Sequence, residues 1–288
     1  MSILPQLILN SIIAGSIYTL VALGFSLIYS ATKFFNLSHG AVAAAGGYAV
    51  FFLTQHFGLN MYPAVLLGVL FAGILGFALD KFIFLPLRKK KASTMILLVA
   101  SLGAFTAIQA ILAMLFTSQF QTLSNLIPNQ KIYQIFGGAI TQTQVAILIS
   151  GLLILLGLVV LLKKTKLGHA ILAIADDEEV AKIVGINTNQ VIGYVFFIGS
   201  AIAGLAGIFM GFDTGIEPTM GLPLLLNGII GVIIGGISNL YGAVLGCFLL
   251  GFAENFGIWQ ISGEWKSAIA FGLLIVFLLF RPRGIIQK

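Results

Sequence analysis

Charged residues are scarce in this chain of 288 residues: Asp, Glu, Lys and Arg together make up 8% of it. Soluble domains carry roughly 25% charged residues, because they need them on the surface that faces water. Hydrophobic residues account for 59% of the chain, and its mean hydropathy is +1.09. The composition therefore excludes a soluble globular protein and predicts that most of the chain lies in a lipid bilayer.

Residues for chemistry are also few. The one cysteine, Cys247, excludes an internal disulfide framework and a cysteine-rich metal site. The three histidines, His39, His56 and His169, fall on both sides of the membrane in the topology argued below, so we predict no metal site. The sequence contains neither the Gly-x-x-x-x-Gly-Lys-Ser/Thr phosphate loop nor the Gly-x-Ser-x-Gly nucleophile elbow. It predicts no cofactor and no catalytic site in this chain.

What the chain does contain is a series of apolar runs. An α-helix needs about 20 mainly apolar residues to cross the hydrocarbon core. The first run continues to about Tyr29, and no Lys or Arg precedes Lys33, which favours a retained helix over a cleavable signal peptide. We predict an all-α polytopic bundle of eight or nine membrane segments, at least one of them discontinuous, in a single domain over 1–288. The predicted segments are Pro5–Ser30, Ser38–Gln55, Met61–Leu79, Ser93–Phe116, Gln142–Leu162, Gln190–Phe212, Leu222–Ile237, Leu240–Ala253 and Lys266–Phe280.

Basic residues predict the orientation. They cluster at Arg88–Lys91, at 163–166, and at Arg281 and Arg283, and such clusters favour the cytoplasmic side. Two predicted segments separate the first two clusters and four separate the last two, so all three clusters can lie on one side. This places the C-terminus in the cytoplasm and the N-terminus outside. It also accounts for the net charge of +6 without a nucleic-acid partner.

Two polar breaks interrupt the apolar pattern, at 36–40 and at 235–239. Broken helices at membrane depth often mark a transport path. The alternative is a tight turn, or glycine used for close helix packing, and for 235–239 we favour the turn. His39 could line a path or be a hydrogen-bonded structural histidine, and the structural interpretation is the safer one. The candidate path residues are Asn36, Ser38, His39 and Gly40.

One long polar insertion, at about 163–189, is predicted to be cytoplasmic and to form two short helices. The first runs from about His169 to Ala175. Asp176 is expected to cap the second, with Glu179 completing a capping box. Glu178 and Lys182 form an i,i+4 pair, and Gly185 is placed to end the helix in a left-handed conformation.

The second helix carries an apolar stripe of Val180, Ile183 and Val184. Such a stripe either docks into a groove on another subunit or folds back onto the chain's own membrane helices. From the residues alone, the second alternative is modestly favoured.

This insertion resembles the cytoplasmic signature loop of the branched-chain amino-acid permeases of the ABC importer family. Further likeness lies at 10–23, at the Ser-His-Gly segment and near the C-terminus, so the resemblance covers nearly the whole chain. Many members of that family have an acid directly after the Ser-His-Gly glycine; here it is Ala41, so a role for an acid there does not carry over. The matching stretches are Asn10–Leu23, Phe35–Gly40, Leu167–Ala173, Ala175–Asp177, Ala181, Gly185–Asn187 and Phe280–Gly284.

The resemblance implies a transport subunit without enzymatic activity. It implies pairing with a second homologous permease, two cytoplasmic ATP-binding subunits that hydrolyse ATP, and an extracytoplasmic binding protein that delivers a small polar solute. The expected solute is a branched-chain amino acid; urea and short amides are the alternatives within the family. The implied ATPase-coupling residues are Gly168, Ala173, Asp176, Asp177, Ala181 and Gly185.

Three other classes compete with this interpretation. An ion-coupled secondary transporter is the main alternative, but such carriers usually bury ionisable residues, and the predicted spans place Asp80, Asp213, Glu217 and Glu254 at their ends. An intramembrane serine enzyme would need a serine paired with a histidine. Ser38 and His39 are adjacent in the sequence, so on a helix their side chains point in different directions. A passive channel would not need a structured cytoplasmic docking loop.

Overall fold

A computed structural model describes residues 3–127, 130–135, 137–237, 239–282 and 284–286 of the chain. Ser238 and Arg283, which belong to the second predicted break and the last basic cluster, lie outside the described residues. The helices are α1 (Ile3–Thr32), α2 (Ser38–Phe57), α3 (Met61–Leu79), α4 (Leu85–Lys89), α5 (Thr94–Phe116), α6 (Gln142–Lys164), α7 (Lys166–Asp176), α8 (Glu178–Ile183), α9 (Thr188–Asp213), α10 (Gly221–Gly235), α11 (Leu240–Gln260) and α12 (Lys266–Phe280).

The all-α polytopic fold is confirmed. Seven of the described helices are long and apolar enough to cross a membrane, and α2 and α10 are two further apolar helices at predicted segments. A π-helical turn at Asp80–Phe84 joins α3 to α4 into one span, Met61–Lys89. α11 continues to Gln260, so the prediction that this segment ends at Ala253 was too short, because polar residues were taken as a helix end.

Side chains and turns set several helix limits. Ser93 accepts a hydrogen bond from the Ile96 backbone at the start of α5, and Thr141 forms a capping box with Gln144 at the start of α6. Between these two helices the outer segment contains a short antiparallel pair, β1 (Ile132–Ile135) and β2 (Gly138–Thr141). The sequence did not predict this hairpin, because its residues are too few for a clear alternating pattern.

Glycines bring the backbones of the central helices into contact. A Cβ atom added at Gly24 in α1 would lie 2.5 Å from the Gly199 carbonyl oxygen of α9. One added at Gly46 in α2 would lie 2.7 Å from the Cα of Gly204 in α9. Real side chains do not approach so closely, so these positions require glycine, and the core of the bundle lies where α1, α2 and α9 cross.

The break between α1 and α2 lies at 33–37, inside the bundle. His39, near the start of α2, packs against Gly24, which lies about 12 Å before the C-terminal end of α1 at the helical rise per residue. α2 therefore begins at membrane depth. Gly40 of α2 in turn contacts Gly221, the first residue of α10, so two helices begin beside each other inside the bundle. Of the two interpretations left open at 36–40, this arrangement favours the broken helix.

The second break is a tight turn. Gly236 has a φ of +116°, in the region that glycine adopts without strain. The backbones of Gly235 and Gly242 are in direct contact, so α10 and α11 form a closely packed hairpin. The turn interpretation of 235–239 is confirmed for the residues that the structure describes.

Candidate functional site

The polar insertion folds into α7 and α8, which lie beside the predicted cytoplasmic end of α6. α7 begins earlier than predicted, because the Thr165 side chain caps it by accepting a 2.9 Å hydrogen bond from the Gly168 N–H. Gly168 also sits against the backbone of Leu161 and Leu162, where an added Cβ would overlap the main chain. A glycine at 168 thus permits the tight turn from α6 into α7.

The cap of α8 differs from the prediction by one residue. Asp177, and not Asp176, accepts hydrogen bonds from the backbone N–H groups of Glu179 (2.8 Å) and Val180 (3.0 Å). The predicted capping box between Asp176 and Glu179 was wrong, because α7 extends through Asp176. The sequence Asp176-Asp177 offers two capping residues in succession, and only the length of the preceding helix decides between them.

Gly185 ends α8 as predicted, with a φ of +89°. Its N–H donates to the Lys182 carbonyl and the Ile186 N–H donates to the Ala181 carbonyl, both at 3.0 Å. These two bonds form a Schellman motif, in which a left-handed residue closes the C-terminal end of a helix. Ala181 is buried beneath this turn.

The apolar stripe on α8 faces outward. Val180, Ile183 and Val184 are 54%, 83% and 69% exposed. The alternative in which the stripe folds back onto the chain's own membrane helices is therefore wrong. α7 instead buries Gly168, Ile171 and Ile174, while Ala173 is half-buried and Asp176 and Asp177 are exposed. The insertion thus holds itself against the bundle through α7 and presents α8 outward.

The residues of the first break are buried in the core. Asn36 is 2% exposed, and Ser38 and His39 are fully buried. The Ser38 hydroxyl donates to the Asn36 side-chain oxygen at 2.6 Å. Neither ring nitrogen of His39 has a hydrogen-bond partner within the described part of the chain; the Val21 backbone faces the ring without closing a bond of normal geometry.

Two buried acids lie inside the spans, which corrects their predicted placement at span ends. Glu254, fully buried in α11, accepts a 2.6 Å hydrogen bond from Tyr18 of α1 and pairs at 3.4 Å with Lys266 of α12. Asp80, in the π-helical turn, pairs with Arg88. The sequence argument missed both because α11 and α3–α4 continue beyond the purely apolar runs. An absence of buried acids therefore no longer argues against ion coupling in this chain.

A cleft of about 660 Å³ opens between α2, α3 and α5. Its walls are almost entirely apolar, and Tyr48 and His56 are among its few polar neighbours. None of Asn36, Ser38, His39 and Gly40 lines it. In the single chain the candidate path residues are packed in the core, and they do not line this cleft.

Comparisons with known proteins identify relatives of this chain. Residues 7–278 match the family described as branched-chain amino acid transport system / permease component. The chain is 31% identical to the high-affinity branched-chain amino acid transport system permease protein BraD of Pseudomonas aeruginosa, over 98% of this chain and 95% of that one. It is 30% identical to the corresponding protein LivH of Escherichia coli, with the same coverage.

A solved structure supports the fold alone. PsaBC from Streptococcus pneumoniae, determined in complex with Fab, is similar with a TM-score of 0.51 and 14% identity, over 98% of this chain and 93% of that chain. The sequence matches extend along nearly the whole length of the chain. This chain is accordingly a membrane-spanning transport subunit and belongs to the family of branched-chain amino acid transport system permease components.

Proposed function

We propose that this protein is the permease subunit of an ATP-driven importer that moves branched-chain amino acids into the cell. The support for this solute is the family match and the names of two relatives about 30% identical over almost the whole chain. Urea or a short amide is the alternative substrate. Uptake in liposomes of leucine, urea and acetamide, each in radiolabelled form, separates the three, since only the transported solute accumulates.

We propose further that the complex contains a second homologous permease, two cytoplasmic ATP-binding subunits that hydrolyse ATP, and an extracytoplasmic binding protein. The single observation that carries the coupling role is the exposed stripe of α8. Apolar residues that a structured cytoplasmic helix leaves exposed are typical of a surface that docks into a groove. The whole segment at 163–189 then acts as a coupling loop within one permease domain, 1–288.

Each candidate coupling residue has a place in this proposal. Gly168 permits the turn into α7, Ala173 lies on α7 next to its C-terminal end, and Asp177 caps α8. Ala181 and Gly185 form the turn that ends α8. Asp176, exposed at the end of α7, offers a charge to the partner.

The docking surface is tested by replacing Ile183 with Asp. An aspartate at the most exposed position of the stripe would place a charge in an apolar contact, so we expect the ATP-binding subunits to be lost when the complex is purified in mild detergent. The matched control is Lys89→Asp, a change to aspartate at an exposed residue of α4 outside the insertion. Retention of the ATP-binding subunits by Ile183→Asp would contradict the docking role.

A secondary transporter is the second candidate, because Glu254 and Asp80 are buried ionisable residues. The energy source of transport distinguishes it from an ATP-driven importer. Reconstituted complex should import solute only with ATP on the side that carries α7 and α8. Uptake driven by a sodium or proton gradient without ATP would establish ion coupling instead. The same vesicles, labelled at single introduced cysteines, test the proposed orientation with the N-terminus outside and the C-terminus inside.

The break at Asn36, Ser38, His39 and Gly40 remains our candidate for the wall of the translocation path. Two helices begin there at membrane depth, and helix N-termini carry partial positive charge, which suits the carboxylate of an amino acid. Because these residues are buried in the single chain, exposure would require movement of α2 relative to α1 and α9. Replacing His39 with Ala and measuring leucine uptake tests this assignment; unchanged uptake would remove His39 from the path.

A further inference from the structure

The C-terminal end of α7 receives a positive charge from elsewhere in the chain. The last carbonyls of a helix have no partner within the helix, and a cation there stabilises the helix dipole. The last turn of α7 contains no basic residue, and Asp177, Glu178 and Glu179 follow it. The Ala175 carbonyl instead accepts a 2.7 Å hydrogen bond from Nζ of Lys33.

Lys33 occupies a backbone conformation that lysine rarely adopts. It is the first residue after α1, its φ is +56°, and its N–H donates to the Tyr29 carbonyl at 2.8 Å. Glycine or asparagine adopts this left-handed region more easily. Residues held in such a conformation often have a functional role, and here the role that the structure offers is the contact between the Lys33 side chain and α7.

The segment between Lys33 and α2 packs against the π-helical turn and α5. The Phe34 ring is fully buried and packs on Phe84, with 5.1 Å between the ring centroids. Ser101 of α5 accepts a 3.0 Å hydrogen bond from the Leu37 N–H. Its hydroxyl hydrogen points to the Leu98 carbonyl at 2.7 Å, with the Phe35 carbonyl also within reach at 3.3 Å. This short, packed segment leads directly from Lys33 to Ser38, where α2 begins.

We propose that Lys33 is a positioning residue that links α7 to the start of α2. Its ammonium group caps α7, and its backbone continues into the segment that holds α2 at membrane depth. When a partner displaces α7 and α8, Lys33 carries the displacement to α2. This inference rests on the proposed coupling role of the insertion, and it assigns the first contact through which that motion enters the bundle.

The test uses a pair of lysines with the same backbone conformation. Lys91 has a φ of +55°, is also exposed, and its side chain makes no hydrogen bond within the part of the chain that the structure describes. Lys33→Asn and Lys91→Asn each remove one charge at a left-handed position where asparagine is favourable, so both variants should fold. Lys33→Arg keeps a cation that can reach the Ala175 carbonyl.

The first measurement is hydrogen exchange on the purified permease without other subunits. Losing a cation at a helix C-terminus should speed exchange of the amides at 174–178 by about three- to fivefold in Lys33→Asn. Lys91→Asn and Lys33→Arg should match the parent protein. Unchanged exchange in Lys33→Asn would overturn the capping role, whether or not the proposed function holds.

The second measurement is leucine uptake per ATP hydrolysed by the reconstituted complex. We expect Lys33→Asn to retain its ATP-binding subunits and to lose about fivefold in uptake per ATP, which corresponds to a coupling free energy of about 1 kcal/mol. If Lys33→Asn shows faster exchange at 174–178 but normal uptake per ATP, the proposed link from α7 to α2 is overturned, although the capping of α7 by Lys33 is still supported. Failure of the proposed function has a different signature, because the parent protein itself would then bind no ATP-binding subunits.

Discussion

α1 and α6 are both apolar membrane helices, yet they occupy opposite environments. α6 has the more apolar sequence. Within the most apolar 18 residues of each helix, only 17% of the residues of α6 are buried within the chain, against 89% of those of α1. α1 contains serine, threonine, tyrosine and glycine among its apolar residues, whereas α6 consists largely of leucine, valine and isoleucine. Hydropathy thus indicates which segments enter the membrane, and small and polar residues indicate which of them lie at the centre.

The physical reason is that lipid tails are as apolar as leucine. No hydrophobic driving force brings two leucine faces together inside a bilayer, so helices associate where small residues allow close packing and polar groups find partners. α1 and α9 meet at Gly24 and Gly199, and Tyr18 of α1 bonds to Glu254. α6 exposes Leu152, Leu153 and Leu156, which suits a surface that faces lipid.

The largest effect is expected from exchanging glycines between these two environments. Gly204→Leu would force a side chain into Ala72, so we expect a loss of at least about 3 kcal/mol in unfolding free energy, or no folded protein. Gly157 of α6 has no atom within 4 Å of an added Cβ, so Gly157→Leu should be neutral or slightly stabilising. Thermal unfolding in detergent compares the two; equal stability would contradict the comparison.

A smaller effect is expected at the buried polar contact of the central helices. Glu254→Ala removes the acceptor of the Tyr18 hydroxyl and the partner of Lys266. Since Tyr18 is buried, the loss should be about 2 to 3 kcal/mol. The control is Glu264→Ala at an exposed residue, where no change is expected. A neutral Glu254→Ala would show that this contact contributes nothing to packing at the centre.

The insertion that contains α7 and α8 should respond through its backbone conformation and not through its packing. Gly185 has open space around it but a φ of +89°, so Gly185→Val should strain the end of α8 by about 1 to 2 kcal/mol, while Gly185→Asn should be tolerated. We expect the valine variant to insert into the membrane normally and to uncouple ATP hydrolysis from uptake. Uptake and ATPase stimulation at parental levels in Gly185→Val would show that this cap has no part in coupling.

The smallest effect is expected at the surface ion pair of α8. Lys182 and Glu178 are 2.7 Å apart, and their side chains are 52% and 37% exposed. Solvent screens such a pair, so Glu178→Gln should change stability by at most about 0.5 kcal/mol. Differential scanning fluorimetry of this variant beside Glu254→Ala measures how much burial strengthens a carboxylate contact; a larger loss at Glu178 than at Glu254 would reverse the expected order.

Much of the fold was predictable because its signals are local. The limits of α3 and α12 and the start of α2 were predicted to the residue, while α2 ends two residues later than predicted, at Phe57. Gly185 was recognised from its position after an amphipathic turn. The cap of α8 was misplaced by one residue, because either Asp176 or Asp177 could cap it until the length of α7 is known. α11 was predicted too short, because the polar residues from Glu254 onward could also have ended the helix.

The candidate site was less predictable, since it depends on contacts between distant segments. The exposure of Val180, Ile183 and Val184 could not be decided from their stripe, because the same pattern suits a buried face and a docking surface. The hydrogen bond from Lys33 to Ala175 joins residues 142 positions apart, and no local sequence pattern predicts it.

The sequence by itself determined that this protein lies in a membrane, where most of its helices begin and end, and which family it resembles. Hydropathy, helix caps and a signature loop act over a few neighbouring residues and can be read directly. Only the tertiary structure decided which helices form the centre, that α2 and α10 begin side by side at membrane depth, and that α8 faces outward. The first two features depend on backbone contacts between glycines far apart in the chain, and the third depends on how α7 packs against the bundle. No single stretch of sequence specifies such contacts.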